Sequence, residues 1–252
     1  MMQSVYSAAA GLKSQQTRLD TIAANLANVN TNGYKATRVD FKDALYTTMR
    51  SPVQEENGNN LQKGSGVLVN ATAIDFEGGA LISTGDSLDF AIQGKGFFTI
   101  AGQNGQTLYT RNGNFGISAE EDGNYLVNAS GQYVLDNAGM RVLMPDNGKD
   151  ISVSQDGSLS AGGVQIAVLG IADFENAKGL TAVGNGNFEE SVASGAARAA
   201  GTAKVVQGSV EGSNVSMAQE MTLLIRTQRA FSLASKALKT ADDMDGLANN
   251  LR

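Results

Sequence analysis

Carboxylates occur in vicinal groups along this 252-residue chain, at Glu55-Glu56, Glu120-Glu121-Asp122, Glu189-Glu190 and Asp242-Asp243. Two carboxylates can divide general acid and base work when they face each other across a cleft. Adjacent residues on a strand point to opposite faces, so each group reads as a solvated run rather than a dyad. Glycosidase carboxylates can lie far apart in sequence, so a distant pair stays open. Gly94-Lys95-Gly96 has two glycines of a dinucleotide-binding turn but lacks the third, and no βαβ pattern surrounds it. Asp122-Gly123 and Asp156-Gly157 lack the ligand spacing of a calcium loop. Asn70-Ala71-Thr72 and Asn128-Ala129-Ser130 match glycosylation sequons, a pattern frequent by chance. With no histidine and no cysteine, the chain has no thiol nucleophile, no His-based triad, no disulfide and none of the usual structural zinc ligands. No catalytic, cofactor-binding or metal-binding residue is expected, and no enzyme.

The bulk numbers point the same way. A formal charge of −6 and a pI near 4.7 disfavour nucleic acid and anionic lipid, both of which select basic faces. Hydrophobic residues make up 42%, enough for a buried core. Thirty glycines against two prolines suggest a sheet-rich body with many turns. No run of about 18 apolar residues is present, so no membrane insertion is expected. The first residues lack a basic segment followed by an apolar one, so a cleaved signal peptide is not expected.

Three textures follow one another along the chain. Val5, Ala8, Leu12, Gln15, Leu19, Ile22, Leu26 and Val29 are spaced alternately by three and four, a heptad seam interrupted only by Gln15. The spacing predicts a helix over about residues 3–30, stopped at Gly33. Met217, Met221, Leu224, Phe231, Ala234, Leu238 and Ala241 repeat the pattern at the far end, with Ala248 and Leu251 extending it. That predicts a helix over about 214–250, capped by Asn214 or Ser216. Between them, Phe97-Phe98-Thr99-Ile100, Tyr125-Leu126-Val127, Tyr133-Val134-Leu135, Ile151-Ser152-Val153 and Gln165 to Leu169 read as strands. The two Asp-Gly pairs read as hairpin turns. The expected fold is α+β: long terminal helices forming a coiled-coil layer, and a central antiparallel β domain. Its boundaries are 1–35 and 210–252 for the helical part, 36–65 for an extended arm or linker, and 66–209 for the β part.

Some segments are more specific than the pattern. Ala24-Asn25-Leu26-Ala27-Asn28-Val29-Asn30-Thr31-Asn32-Gly33-Tyr34-Lys35 resembles the N-terminal signature of the flagellar rod and hook protein family. The run Leu88 to Phe98, with Gly94, Gly96, Phe97 and Phe98, looks like that family's first β motif. Tyr109 to Phe115, with Arg111, looks like its second. Gln207 to Val215, then Glu220-Met221, Gln228-Arg229-Ala230-Phe231 and Ser235-Lys236, is similar to its C-terminal helix. The chain has no room for the outer domain of hook members. Its segment from Tyr46 to Gly66 resembles a shortened arm of distal-rod members, and a hook or proximal-rod paralogue is the alternative. The resemblance implies a structural subunit of the basal-body rod, located in the flagellum outside the cytoplasmic membrane. Its copies would stack helically into a hollow shaft that carries torque and encloses an export channel. It implies partners too: further copies, other rod and hook proteins, and the flagellar type III export apparatus.

The expected assembly residues are Leu12, Leu19, Ile22, Asn25, Leu26, Asn28, Val29, Met217, Met221, Leu224, Gln228, Phe231 and Leu238. The plainer account makes both helices ordinary amphipathic cover for the β body. For Asn25, Asn28, Asn30 and Asn32, the plainer account is capping and turn formation, and the sharper one is hydrogen bonding between subunits that sets register. Asn32, Gly33, Tyr34 and Lys35 are family-motif positions. Two other classes compete: a secreted β-domain enzyme such as a glycan hydrolase, and a closed coiled-coil oligomer presenting a β-domain binding module.

Overall fold

The computed structural model describes residues 2–45, 47–48, 62–102, 105–145, 151–201 and 203–250. The chain folds as two units: residues 1–27, 37–74 and 216–252, and residues 28–36 and 75–215.

The first unit is built on two helices, α1 (Met2–Ala27) and α2 (Met217–Asn250). At 1.5 Å per residue they are roughly 39 Å and 51 Å long. They run antiparallel. Asn25, near the end of α1, bonds Glu220 in the first turn of α2, while Val5 shares a small cavity with Ser235, Leu238, Lys239 and Asp242. The last turns of α2 therefore run on beyond the start of α1. Ile22, Ser14 and Asn25 of α1 and Thr227 of α2 are buried. Ser14, Thr17, Thr21, Thr222, Thr227 and Thr240 return their hydroxyls to carbonyls four residues back, so none is left unpaired on a helix surface.

α1 stops at Ala27, short of the expected residue 30. The Asn28 carbonyl accepts the Thr31 N–H, and the Asn28 side chain accepts the Thr31 hydroxyl. These local bonds turn the chain before Gly33 (φ +70°). Val29 lies in that turn and so is no part of a helical seam. Asn214 does not cap α2 either. Its amide is committed elsewhere, to the Ala36 N–H and the carbonyls of Asp75 and Glu77.

Strands also belong to the helical unit. Thr37–Asp43 pairs antiparallel with Val67–Ile74, with an irregularity between Asp40 and Phe41. Residues 37–43, expected in a linker, are thus sheet. Thr37, Val39 and Phe41 alternate with Arg38, Asp40 and Lys42, which is the period of a strand with one face covered. The Ser14 hydroxyl reaches the Val67 carbonyl at 3.3 Å, and the Arg18 guanidinium lies 5.8 Å from the Phe41 ring centre. Residues 46 and 49–61 of the expected arm, and the seam residue Leu251, lie outside the described residues.

The second unit is antiparallel throughout its described pairings. Its six-stranded sheet runs in the order Thr181–Gly184, Asn187–Glu189, Thr107–Thr110, Phe97–Ala101, Ile171–Asp173, Arg198–Ala199. Two three-stranded sheets accompany it, each containing a hairpin turned by an Asp-Gly pair: 115–120 to 123–128, and 151–153 to 158–161. Phe90, Phe98, Ile100, Leu126, Val134 and Leu159 are fully buried in one apolar core. Phe76, Phe97, Phe174, Phe188 and Tyr109 form a second cluster, ring centres 4.8–5.9 Å apart and mostly edge to face.

Candidate functional site

Lys35 and Arg111, singled out from two separate motifs, meet in the second unit at Glu211, which lies in a third. Lys35, Arg111 and Glu211 are 3%, 4% and 1% exposed. One Glu211 oxygen accepts from Lys35 Nζ and from the Gly79 N–H (2.9 Å). The other accepts from Arg111 at 3.1 Å. Lys35 also donates to the Glu77 carbonyl (2.8 Å), and Arg111 to the carbonyls of Ile92 (3.4 Å) and Gly94 (2.8 Å). The Arg111 guanidinium stacks 5.2 Å from the Phe97 ring centre. Burial is the main force on the Lys35 ammonium and pushes its pKa below the ordinary 10.5; Glu211 opposes that, and Arg111 adds to it.

The backbone follows the same route. The Gly33 N–H donates to the Glu211 carbonyl at 2.7 Å, and Asp75 N–H to the Ala36 carbonyl at 2.8 Å. A Cβ on Gly33 would sit 2.5 Å from Asn112 N, so the glycine lets the 28–36 segment lie directly on the 111–112 backbone. Gly94 (φ +108°) and Gly96 (φ +139°) sit in backbone conformations that favour glycine, and Gly94 turns its carbonyl to Arg111. Asn32 and Tyr34 are half-buried beside Gly33, and Phe97 and Phe98 are buried in the two apolar clusters. Nothing in this arrangement presents a nucleophile or an open metal shell. Its chemistry is binding: it joins segments far apart in sequence.

In the helical unit, the expected assembly residues divide into three groups. Ile22 and Asn25 are buried within the chain itself. Asn25 donates to the Thr37 carbonyl (2.8 Å) and to Glu220 (3.1 Å), and accepts the Thr37 N–H (2.9 Å). Leu12, Leu19, Leu26, Leu224, Phe231 and Leu238 are half-buried. Met217, Met221 and Gln228 are exposed. The Gln15 side-chain oxygen is buried without a donor. Asn28 is half-buried in the turn, as is Val29. Sequence reasoning missed Ile225, Leu233, Met244 and Leu247, which expose half or more of their surface on α2. They fall outside the heptad positions that were read as the seam.

The carboxylate groups remain separate. Glu120 accepts the Tyr133 hydroxyl, and Asp156 accepts the Ser158 N–H and hydroxyl, which hold its carboxyl below its ordinary pKa. Asp242 and Asp243 are exposed on α2, and Glu55-Glu56 lie outside the described residues. Among the described residues, no three acidic side chains gather as a metal site would require. None of the described helices is long and apolar enough to cross a membrane.

Comparison with known proteins follows the same three regions. Residues 5–35 match the family described as flagella basal body rod protein. Residues 91–161 match the flagellar hook protein FlgE/F/G D1 domain. Residues 206–251 match the C-terminal region of the flagellar basal body rod FlgEFG proteins. The chain is 37% identical over 270 residues to the flagellar basal-body rod protein FlgG of Borreliella burgdorferi, covering all of this chain and 99% of that protein. It is 36% identical over 259 residues to FlgG of Bacillus subtilis, covering 97% of each. To the basal-body rod protein FlgF of Rhizobium meliloti it is 33% identical over 242 residues, covering 96% and 94%. The Lys35–Glu211–Arg111 knot draws one residue or its close neighbourhood from each matched region, and over its whole length the chain belongs to the family of flagellar basal-body rod proteins.

Proposed function

We propose that this chain is a structural subunit of the flagellar basal-body rod, of the distal-rod kind, which polymerises through its terminal helices. Full-length similarity to rod proteins supports the subunit role. The observation that carries the assembly reading is the apolar surface that α2 leaves exposed. Met217, Met221, Ile225, Leu233, Met244 and Leu247 are exposed over about half of its circumference at 100° per residue, while Leu224, Phe231, Ala234 and Leu238 are half-buried. Burying the exposed half of six such side chains would contribute roughly 5–9 kcal/mol, an upper value. Association itself costs an estimated 4–15 kcal/mol. These side chains together therefore barely hold one neighbour, and a stable position requires several neighbours at once. That is the situation inside a helical shaft and not in an isolated pair. The helices then form the inner layer around an export channel, and neighbouring rod and hook proteins continue the axis. The chain reaches this place by the flagellar type III export route and catalyses nothing.

The test replaces Leu233 with Asp in the chromosomal copy and labels purified basal bodies through an epitope inserted at the exposed Gly184-Asn185-Gly186 turn. The tagged parent should decorate the rod, and the variant should be absent from it while remaining folded in solution. Label on the hook alone would move the protein within its family. Normal incorporation of the variant would show that this face of α2 meets no neighbour.

A further inference from the structure

Residues 204–214 hold the second unit shut from the far end of the chain. Lys204–Gln207 pairs with Phe90–Gln93, and Ser209–Glu211 pairs with Leu81–Ser83. Val205, Val210 and Glu211 are buried. The Gly212 N–H donates to the Ala80 carbonyl, and the Asn214 N–H lies 3.5 Å from the Tyr34 carbonyl. Asn214 takes the Ala36 N–H and gives its own amide hydrogens to Asp75 and Glu77. Among the described residues, Glu211 is the only carboxylate that pairs with Lys35 or Arg111.

Without this stretch, two buried cations lack an anion, and the N–H groups of Gly33, Ala36 and Gly79 lose their acceptors. Unpaired buried charges are among the costliest defects a fold can carry. Segments 28–36 and 75–85 therefore lose their charged and much of their backbone anchoring without 204–214, and keep the packing of Phe76 on Phe97 and Phe188. The apolar core is differently placed. Phe98, Ile100, Leu126, Val134 and Leu159 pack on one another, and only Val205 of the late stretch joins them.

We propose that residues 204–214 are the closing piece of this unit: they dock and release together with segments 28–36 and 75–85, with the Glu211 carboxylate as the latch. The core over residues 97–171 stays shut while that group opens. A chain whose far end is missing or not yet delivered keeps its latch open, so the fold itself distinguishes complete subunits from truncated ones. This holds whether or not the chain polymerises as described above.

Native-state amide exchange on the full-length chain tests it. In Glu211→Gln, the amides of Gly33, Gly79, Val210 and Gly212 should lose protection together, by roughly 100-fold or more. Those of Ile100, Leu126 and Val134 should stay within about threefold of the parent. Equal loss across both groups would overturn the proposal, because the strip would then be part of one global unit. Unchanged protection would overturn it too, because the carboxylate would hold nothing. If Glu211→Gln does not fold, Asn214→Ala serves instead. It removes uncharged bonds only and should loosen Gly33, Gly79 and Gly212 in parallel by about tenfold. Independent exchange of those three would refute the latch.

Discussion

Replacing Gly33 with Ala measures how closely the N-terminal signature lies on the β unit. Gly33 has φ +70°, where an alanine costs about 1–2 kcal/mol. Its new Cβ would also stand 2.5 Å from Asn112 N, 2.7 Å from Arg111 C and 2.8 Å from Asn112 Cα. Ordinary contact begins near 3.4 Å, so one backbone must move by about 0.9 Å relative to the other. No rotamer change relieves this, because the obstructing atoms are main chain. They are also held in place. Arg111 is bonded to Glu211, Ile92 and Gly94, and the Asn112 N–H donates to the Thr110 hydroxyl at 3.2 Å. Overpacking of this kind adds about 1–3 kcal/mol, for a total near 2–5. Gly85 is the control. It lies in the same unit at φ +76°, with nothing within 4 Å of its missing Cβ. Gly85→Ala should lose only the backbone part, about 1–2 kcal/mol. Urea unfolding midpoints of the two variants, compared at equal slope, give the difference. Equal losses would refute the claim that close approach, and not turn geometry alone, requires glycine at position 33.

Three further expectations follow from the same contacts. Asn25→Ala leaves the Thr37 backbone groups and the Glu220 carboxylate short of partners, so thermal melts followed by helical circular dichroism should show a loss of about 2–4 kcal/mol; under 1 kcal/mol would mean water replaces the amide. Lys35 titrates lower in the folded chain than in the unfolded one. Between its lowered pKa and the ordinary 10.5 the unfolded chain binds more protons, so stability rises with pH there, and Lys35→Met should abolish that alkaline rise. Tyr109, raised by burial first and by Glu190 second, acts in the opposite sense above 10.0, and should keep its downturn in the variant. Asp156 is lowered, so its contribution is present above 3.8 and lost as pH falls through the folded value. Asp156→Ala should flatten that part of the acid limb in pH-dependent melts, and an unchanged limb would count against the Ser158 bonds.

Periodicity carried the two helices and the antiparallel β class, because both are repeated local signals. Apolar spacing marked α1 and α2, and Asp122-Gly123 and Asp156-Gly157 marked two hairpins where they occur. What failed was local competition. The end of α1 is decided by one Asn28 turn, which a heptad pattern running through Val29 does not reveal. Thr37–Asp43 alternates as a strand does, yet it fell inside the expected linker, because its pairing partner Val67–Ile74 is supplied from beyond the arm. Met217 and Met221 sit at seam positions, yet both are exposed, while Leu224 and Thr227 further along α2 are covered. The knot was the least legible feature. Lys35 and Arg111 stood out only as motif members, and Glu211 carried no signal of its own. Their bonds span 176 and 100 residues, and no local pattern encodes a partner at that distance.

The choice of charges for that knot has a physical logic that an apolar core does not share. Three well-packed hydrophobic residues in place of Lys35, Arg111 and Glu211 would be neutral or even stabilising, since buried ions lose their hydration. But a short strand such as Ser209–Glu211 can slip by two residues and still present the same face to its partner. An apolar strip would tolerate that error at small cost. With Glu211 in the strip, a slip of two residues moves the carboxylate by about 6.8 Å, beyond reach of both cations. Lys35 and Arg111 would then be buried unpaired, a penalty of about 3–5 kcal/mol. The carbonyls of Glu77, Ile92 and Gly94 tighten the condition, because they fix where each cation must point. The ionic knot thus contributes little to net stability and much to the difference between one register and the next. That is what a subunit needs when the segments leading to both its helices depart from the same place.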